Sequence, residues 1–236
     1  MYSDRTHDYE WLFLDLDNTI LDFQKSSELA FIFIFSELGL SLSHEDYKRY
    51  KEINSAYWLK LEKGDITFDK LKVQRWEDFL SEMNFQADPA ALNDAYLDHI
   101  AHHPLYIPDA LESLQKFHSR YRLMLITNGL ANVQLPRLRI TGLNEFFEHI
   151  VISEQLGYSK PSREFFDHCH GLSGSPMHDM VLVIGDTLTS DIGGGLNYGY
   201  HTCWYNYHKS ENQSEYRPHY EVQSHKEIQQ LLLASL

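Results

Sequence analysis

The chain has 236 residues, 43% of them hydrophobic and 23% charged, and its 34 acidic and 20 basic side chains leave a formal charge of −14. That length holds one domain or two small ones. The charge excludes a nucleic-acid polymer or an anionic membrane as partner, because both repel such a surface, and it obliges any phosphate-bearing substrate to meet a local cationic device.

The first ten residues include Asp4, Arg5, His7, Asp8 and Glu10, the opposite of a secretory leader. Trp11–Leu14 is a short apolar run without alternation, as expected of a strand covered on both faces in a parallel sheet, and it ends in Asp15-Leu16-Asp17-Asn18-Thr19. Residues 22–100 then read as consecutive helices with no strand between them. The first covers roughly Ser27–Leu38 before Gly39, and its apolar run Leu29–Phe35 is too short to span a bilayer and is expected to be buried. The second starts at Ser43, with Asp46 completing a capping box, and runs to about Lys63. Thr67 caps the third, which ends near Met83, and Asp88-Pro89 opens the fourth.

From Pro108 the pattern alternates. A helix to about Phe117 leads to the strand Arg122–Ile126, which ends in Thr127-Asn128-Gly129. His149–Ile152 is a further strand, followed by Lys160-Pro161 in a loop and a helix capped by Ser162. Met180–Ile184 ends in Gly185-Asp186-Thr187, after which Ser190-Asp191 enters a glycine-rich segment that closes at Gly199. Thr202–Tyr205, an extended piece at Tyr220–Val222 and a last helix capped by Ser224 complete the chain. Strands alternating with helices predict a doubly wound parallel α/β sheet over residues 1–21 and 101–236, with residues 22–100 inserted as an all-helical cap domain over the strand ends. Cys169 and Cys203 form no C-x-x-C pair, which suits a reducing cytoplasm.

Polar clusters recurring at the carboxyl ends of buried strands mark where an open α/β sheet places its site. Asp15 and Asp17 are two residues apart and project to one side of an extended segment. Taken singly, each cluster also reads as a turn or a helix cap. Together, Asp15, Asp17, Asp186 and Asp191 at one sheet edge repel unless a cation joins them, and an all-oxygen donor set selects a hard ion such as Mg2+. Thr127, Asn128 and Lys160 then supply the cationic and hydrogen-bonding device for a phosphate.

The ordered set Asp15-Leu16-Asp17-Asn18-Thr19, Thr127-Asn128-Gly129, Lys160-Pro161 and Gly185-Asp186 with Asp191 resembles the four motifs of the haloacid dehalogenase (HAD) superfamily of phosphatases, which have a Rossmann-like core. The helical insert between the first two motifs is similar to the cap of the branch containing phosphoglycolate phosphatase. The stretches Asp17–Phe23, Leu61–Thr67 and Gly193–Gly199 resemble the bacterial pyrimidine 5′-nucleotidase (YjjG/YfnB-like) group. Asn18 stands where many relatives carry Gly, a position its short side chain tolerates.

The resemblance implies that Asp15 is a nucleophile forming an aspartyl phosphate and that Asp17 is the general acid and base. It further implies that Mg2+ is held by the Asp15 carboxylate, the Asp17 main-chain carbonyl and Asp186, with Asp191 in the same shell or orienting a water. Thr127, the Asn128 region and Lys160 are implied to bind the phosphoryl oxygens. The expected activity is hydrolysis of a small phosphorylated metabolite, a nucleoside monophosphate before others, in the cytoplasm. A sugar-phosphate or phosphoglycolate phosphatase, a phosphotransferase on the same scaffold, and a catalytically silent interaction protein are the competing readings. Retention of Asp15, Asp17 and Lys160 speaks against the last of these.

Overall fold

The structure, a computed structural model, describes residues 8–233; residues 1–7, which hold most of the charged N-terminal segment, and residues 234–236 lie outside the described part. The chain divides into two compact units. One comprises the chain up to Asp22, Tyr106–Ala131 and Thr141 onwards, and the other comprises Phe23–Leu105 with Asn132–Ile140.

The first unit is built on six strands, β1 (Trp11–Leu14), β2 (Arg122–Thr127), β3 (His149–Ile152), β4 (Val181–Gly185), β5 (His201–Tyr205) and β6 (Tyr220–Val222). They form one sheet in the order β3-β2-β1-β4-β5-β6. Every pairing is parallel. This is the doubly wound, Rossmann-like arrangement expected from the sequence. Its order reverses between β1 and β4, and the crevice at the carboxyl ends of those two strands is where such sheets place ligands.

The apolar runs lack alternation because both faces are covered. On one face Trp11, Phe13, Met124, Ile126, Val181 and Val183 pack with Phe165, Phe166 and Cys169. Both cysteines are buried and unbridged, and burial pushes the Cys169 thiol up to about 12, far from a reactive thiolate.

The second unit contains α1 (Phe23–Glu37), α2 (His44–Glu62), α3 (Phe68–Met83) and α4 (Pro89–His102). Their starts are set by local chemistry. Ser43 and Asp46 form the expected capping box, Thr67 accepts from the Lys70 amide, and Asp88 accepts from the Ala90 amide with Pro89 in the first turn. The interior is aromatic: Phe31, Phe35, Tyr50, Trp76, Phe79 and Tyr96 are buried, with Tyr50 stacked on Trp76 at 4.3 Å between centroids. Arg75 is buried among them, its guanidinium donating to the Asn54 and Asn93 side-chain carbonyls at 2.6 and 2.8 Å.

Two expectations change here. α1 begins at Phe23 rather than Ser27, and the run Leu29–Phe35 is not wholly buried, because Leu29, Ile32 and Phe33 are 46, 41 and 46% exposed. At helical spacing, seven consecutive apolar residues extend beyond the single stripe that a neighbour covers. No described helix is long and apolar enough to cross a membrane.

The remaining helices are α5 (Ala110–His118), α6 (Ala131–Thr141), α7 (Ser153–Leu156), α8 (Arg163–Leu172), α9 (Gly194–Tyr198) and α10 (His225–Leu233). Ser162 accepts from the Phe165 amide at the start of α8, and Ser224 accepts from the Glu227 amide at the start of α10. A π-helical turn, Leu188–Gly193, links β4 to α9.

Candidate active site

Three strand ends deliver the polar residues. Beyond β1, the Asp15 amide donates to the Ile184 carbonyl, so β1 stays paired with β4 while the chain begins to turn. The turn closes when the Asn18 amide donates to the Leu21 carbonyl at 2.7 Å, with Asn18 at φ 59°. A short side chain at that position is what left-handed backbone requires of a residue other than glycine.

Lys160 reaches this strand end from the loop before α8. Its side chain is only 2% exposed, so a charge there needs partners. The ammonium donates to Asp15 Oδ1 at 2.7 Å, to Asp191 Oδ1 at 2.7 Å and to the Ile126 carbonyl at 2.9 Å. Its main chain is fixed as well: Asn128 Oδ1 accepts from the Lys160 amide at 2.9 Å, and Asn128 Nδ2 donates to the Lys160 carbonyl at 2.8 Å. The Asn128 side chain is therefore occupied with Lys160 at both ends. Thr127 is buried at the end of β2, its hydroxyl accepting from the Gly129 amide.

Asp191 sits in the π-helical turn, with its second oxygen, Oδ2, accepting from the Thr187 amide at 3.0 Å. Gly185 makes this approach possible: a Cβ there would lie 2.3 Å from the Asp191 carboxyl carbon, too close for any side chain. Asp186 Oδ1 accepts from the Thr187 hydroxyl at 3.1 Å.

Asp15, Asp186 and Asp191 each offer a carboxylate oxygen within 4.8 Å of the others. Three carboxylates beside one ammonium leave two negative charges, and the protonation behaviour reflects it. Burial pushes the Asp15 carboxyl well above the usual carboxylate range; Lys160 pulls it part of the way back, and Asp191, Asp186 and Asp17 push it up again. Burial, and then Asp191, push Asp186 up to about 7. Burial alone would lower the Lys160 ammonium, but Asp15 and Asp191 outweigh it and hold it above the usual lysine value. A buried, electron-rich, all-oxygen cluster fits a hard divalent cation. Among the described residues the Asp17 carboxylate is not a member of this three-oxygen group.

Residues 12–205 match the haloacid dehalogenase-like hydrolase family. The chain is also 34% identical to pyrimidine 5′-nucleotidase YjjG of Escherichia coli, over 95% of this chain and 98% of that one. It belongs to the haloacid dehalogenase-like hydrolases. Among other members, pyrimidine 5′-nucleotidase PynA of Streptococcus pneumoniae is 33% identical over 93% of each chain. The crystal structure of the HAD-hydrolase YfnB of Bacillus subtilis, bound to magnesium, superposes with a TM-score of 0.88 at 33% identity, covering 95% of this chain and 99% of that one.

Within this HAD hydrolase, two groups at the strand ends lie outside the set read from the sequence. Thr187, the last residue of the strand-end motif Gly185-Asp186-Thr187, donates its amide to Asp191 and its hydroxyl to Asp186. Trp204 donates from its indole Nε1 to the Asp186 carbonyl at 2.8 Å. No local signal reveals it, because the contact arises from the register that places Trp204 opposite Gly185.

Proposed function

We propose that this HAD-type phosphatase is a Mg2+-dependent phosphomonoesterase that acts through an aspartyl phosphate on nucleoside 5′-monophosphates, pyrimidine before purine. The observation that carries the chemistry is the buried Lys160 ammonium shared by Asp15 and Asp191 beside Asp186. The nucleotide preference is supported by the activity named for YjjG and PynA. A cytoplasmic setting belongs to the same proposal, supported by the two unbridged cysteines.

In this reading Asp15 and Asp186 hold the cation with the Asp17 main-chain carbonyl, and Asp191 joins them directly or through water. When bound, Mg2+ neutralises the carboxylates and the phosphoryl oxygens so that like charges approach. The Asp15 carboxylate attacks phosphorus and the ester P–O bond breaks. Asp17 gives its proton to the departing alkoxide, then takes one from the water that attacks phosphorus and frees Asp15. Lys160, the Thr127 hydroxyl and the Asn128 main-chain amide stabilise charge spread over the equatorial oxygens.

The proposal is tested with a panel of nucleoside monophosphates, hexose phosphates and phosphoglycolate at fixed Mg2+. Nucleotides are expected to have the highest kcat/KM, and a preference for sugar or glycolate esters would overturn the nucleotidase reading alone. For Asp17→Asn, single-turnover phosphoenzyme formation should slow by about 10²–10⁴-fold with a nucleotide and far less with 4-nitrophenyl phosphate, whose leaving group needs no proton. Equal losses with both esters would remove Asp17 as the acid.

The proton on Asp186 sets a pH dependence. Below about 7 that carboxyl is protonated in the metal-free protein, and a cation must displace the proton to bind. Mg2+ affinity is therefore expected to rise with pH through about 7. Calorimetric titrations across that range, in buffers of differing ionisation enthalpy, measure both the affinity and the released proton. An affinity independent of pH would contradict the assignment of Asp186 as ligand.

A further inference from the structure

The peptide joining Asp186 to Thr187 is held at both of its polar ends. Its carbonyl accepts from Trp204 Nε1 at 2.8 Å, and its N–H donates to Asp191 Oδ2 at 3.0 Å. A planar peptide held at both ends cannot flip about its long axis, which restrains ψ of Asp186 and, with β4 holding the chain before it, narrows the directions in which the Asp186 Cβ leaves the chain. The Thr187 hydroxyl then sets the rotation of the carboxylate itself.

Trp204 is nearly fully buried on β5, where an indole N–H must find an acceptor. The acceptor it meets is the main chain of a residue whose carboxylate belongs to the acidic cluster, directly across the sheet from the Gly185 that admits Asp191. From this geometry we infer that Trp204 is a positioning residue for the divalent cation: its indole N–H clamps the Asp186 peptide so that the Asp186 carboxylate converges with those of Asp15 and Asp191. This inference rests on the Mg2+ reading above. The bland alternative is that Trp204 only fills space in the sheet. The two differ in what removal of the N–H alone does, since filling space requires the ring and clamping requires the donor.

The test uses the full chain. Mg2+ binding is measured by calorimetry and metal-free stability by urea unfolding, for the wild type, Asp186→Asn, Trp204→Phe, and a protein with 3-benzothienylalanine at position 204, which keeps the indole shape without the N–H. Tyr205→Phe is the strand control, because the buried Tyr205 hydroxyl has no hydrogen-bond partner among the described residues. Both position-204 variants are expected to raise the Mg2+ Kd about 10-fold or more, as loss of a group that orients a ligand commonly does. The benzothienyl protein should do so with an unchanged urea midpoint, and Tyr205→Phe should bind Mg2+ like the wild type. A benzothienyl protein that binds Mg2+ as tightly as the wild type, while Asp186→Asn does not, overturns the clamp and leaves the metal reading standing. Weakening in Trp204→Phe alone assigns the effect to ring volume and also overturns it. No saturable Mg2+ binding by the wild type, or equal binding by Asp186→Asn, overturns the metal reading and the clamp with it.

Discussion

Asp15→Asn is expected to lower kcat by at least about 10⁴-fold, the scale on which loss of a nucleophile is felt, while raising the thermal midpoint of the metal-free protein. The amide keeps the shape of the carboxyl and an acceptor for the Lys160 ammonium, which retains its bond to Asp191. It cannot form an acyl phosphate. The sign of the stability change follows from the raised Asp15 carboxyl. Its folded value lies above the ordinary one, so the protonated form is favoured by folding, and that stabilisation is lost as pH rises through the folded value. Above that raised value an ionised Asp15 thus adds a buried charge to a cluster that already holds Asp186 and Asp191, and Asn removes it. Each kcal/mol of repulsion relieved should raise the midpoint by about 2–4 °C in a chain of this size. Calorimetric melting and a burst assay on freshly prepared protein, with mass spectrometry to exclude deamidation, check both halves. Appreciable turnover by undeamidated variant would end the assignment of Asp15 as nucleophile.

Lys160→Met is expected to do the reverse to stability. It removes the single ammonium between the buried Asp15 and Asp191 carboxylates, beside the half-buried Asp186, and takes a donor from the Ile126 carbonyl, and removing one partner of a buried ion pair costs about 3–5 kcal/mol. The loss should depend on pH. At acid pH the raised Asp186 and Asp15 carboxyls are protonated and part of the repulsion disappears, whereas at alkaline pH they are charged, and loss of Lys160 pushes Asp186 up further. Urea unfolding of the metal-free variant should therefore show a modest deficit at acid pH and the full deficit at alkaline pH. Added Mg2+ should recover part of the alkaline loss by supplying the missing positive charge. The same deficit at both pH values would mean that Lys160 contributes packing and not neutralisation. Activity should be lost at either pH, because no other described cation bonds to Asp15.

How much of this was legible in the sequence depended on whether the signal was local. Helix caps at Ser43, Thr67, Asp88 and Ser162 were readable because a side chain and an amide two or three residues on settle them. The strands β1, β2 and β4 were readable because burial on both faces leaves uninterrupted apolar runs. α6 was not, since Pro136 lies inside it and its polar residues Asn132, Gln134 and Arg137 mask any stripe. Nor was the clustering of residues 132–140 with the inserted helices, which depends on packing far along the chain. The exposed side of α1 is illegible for the opposite reason: its hydrophobicity is plain, but how much of it a neighbour covers is not written in the run itself. At the strand ends, the acidic residues and Lys160 stood out as residue types in motifs. Their mutual bonds did not, because the Asn128 amide spends both ends on the Lys160 main chain and Trp204 acts through sheet register.

Gly185 is commonly the kind of residue explained by backbone freedom, yet its φ is not among the positive ones in this chain. What it provides is an absent atom. With even a methyl group there, the Asp191 carboxylate would have to withdraw, and Lys160 would keep Asp15 as its one anionic partner. Glycine at the end of β4 therefore determines the charge state of a cluster to which it contributes no charge. A substitution at that position should register as an electrostatic lesion before it registers as a steric one.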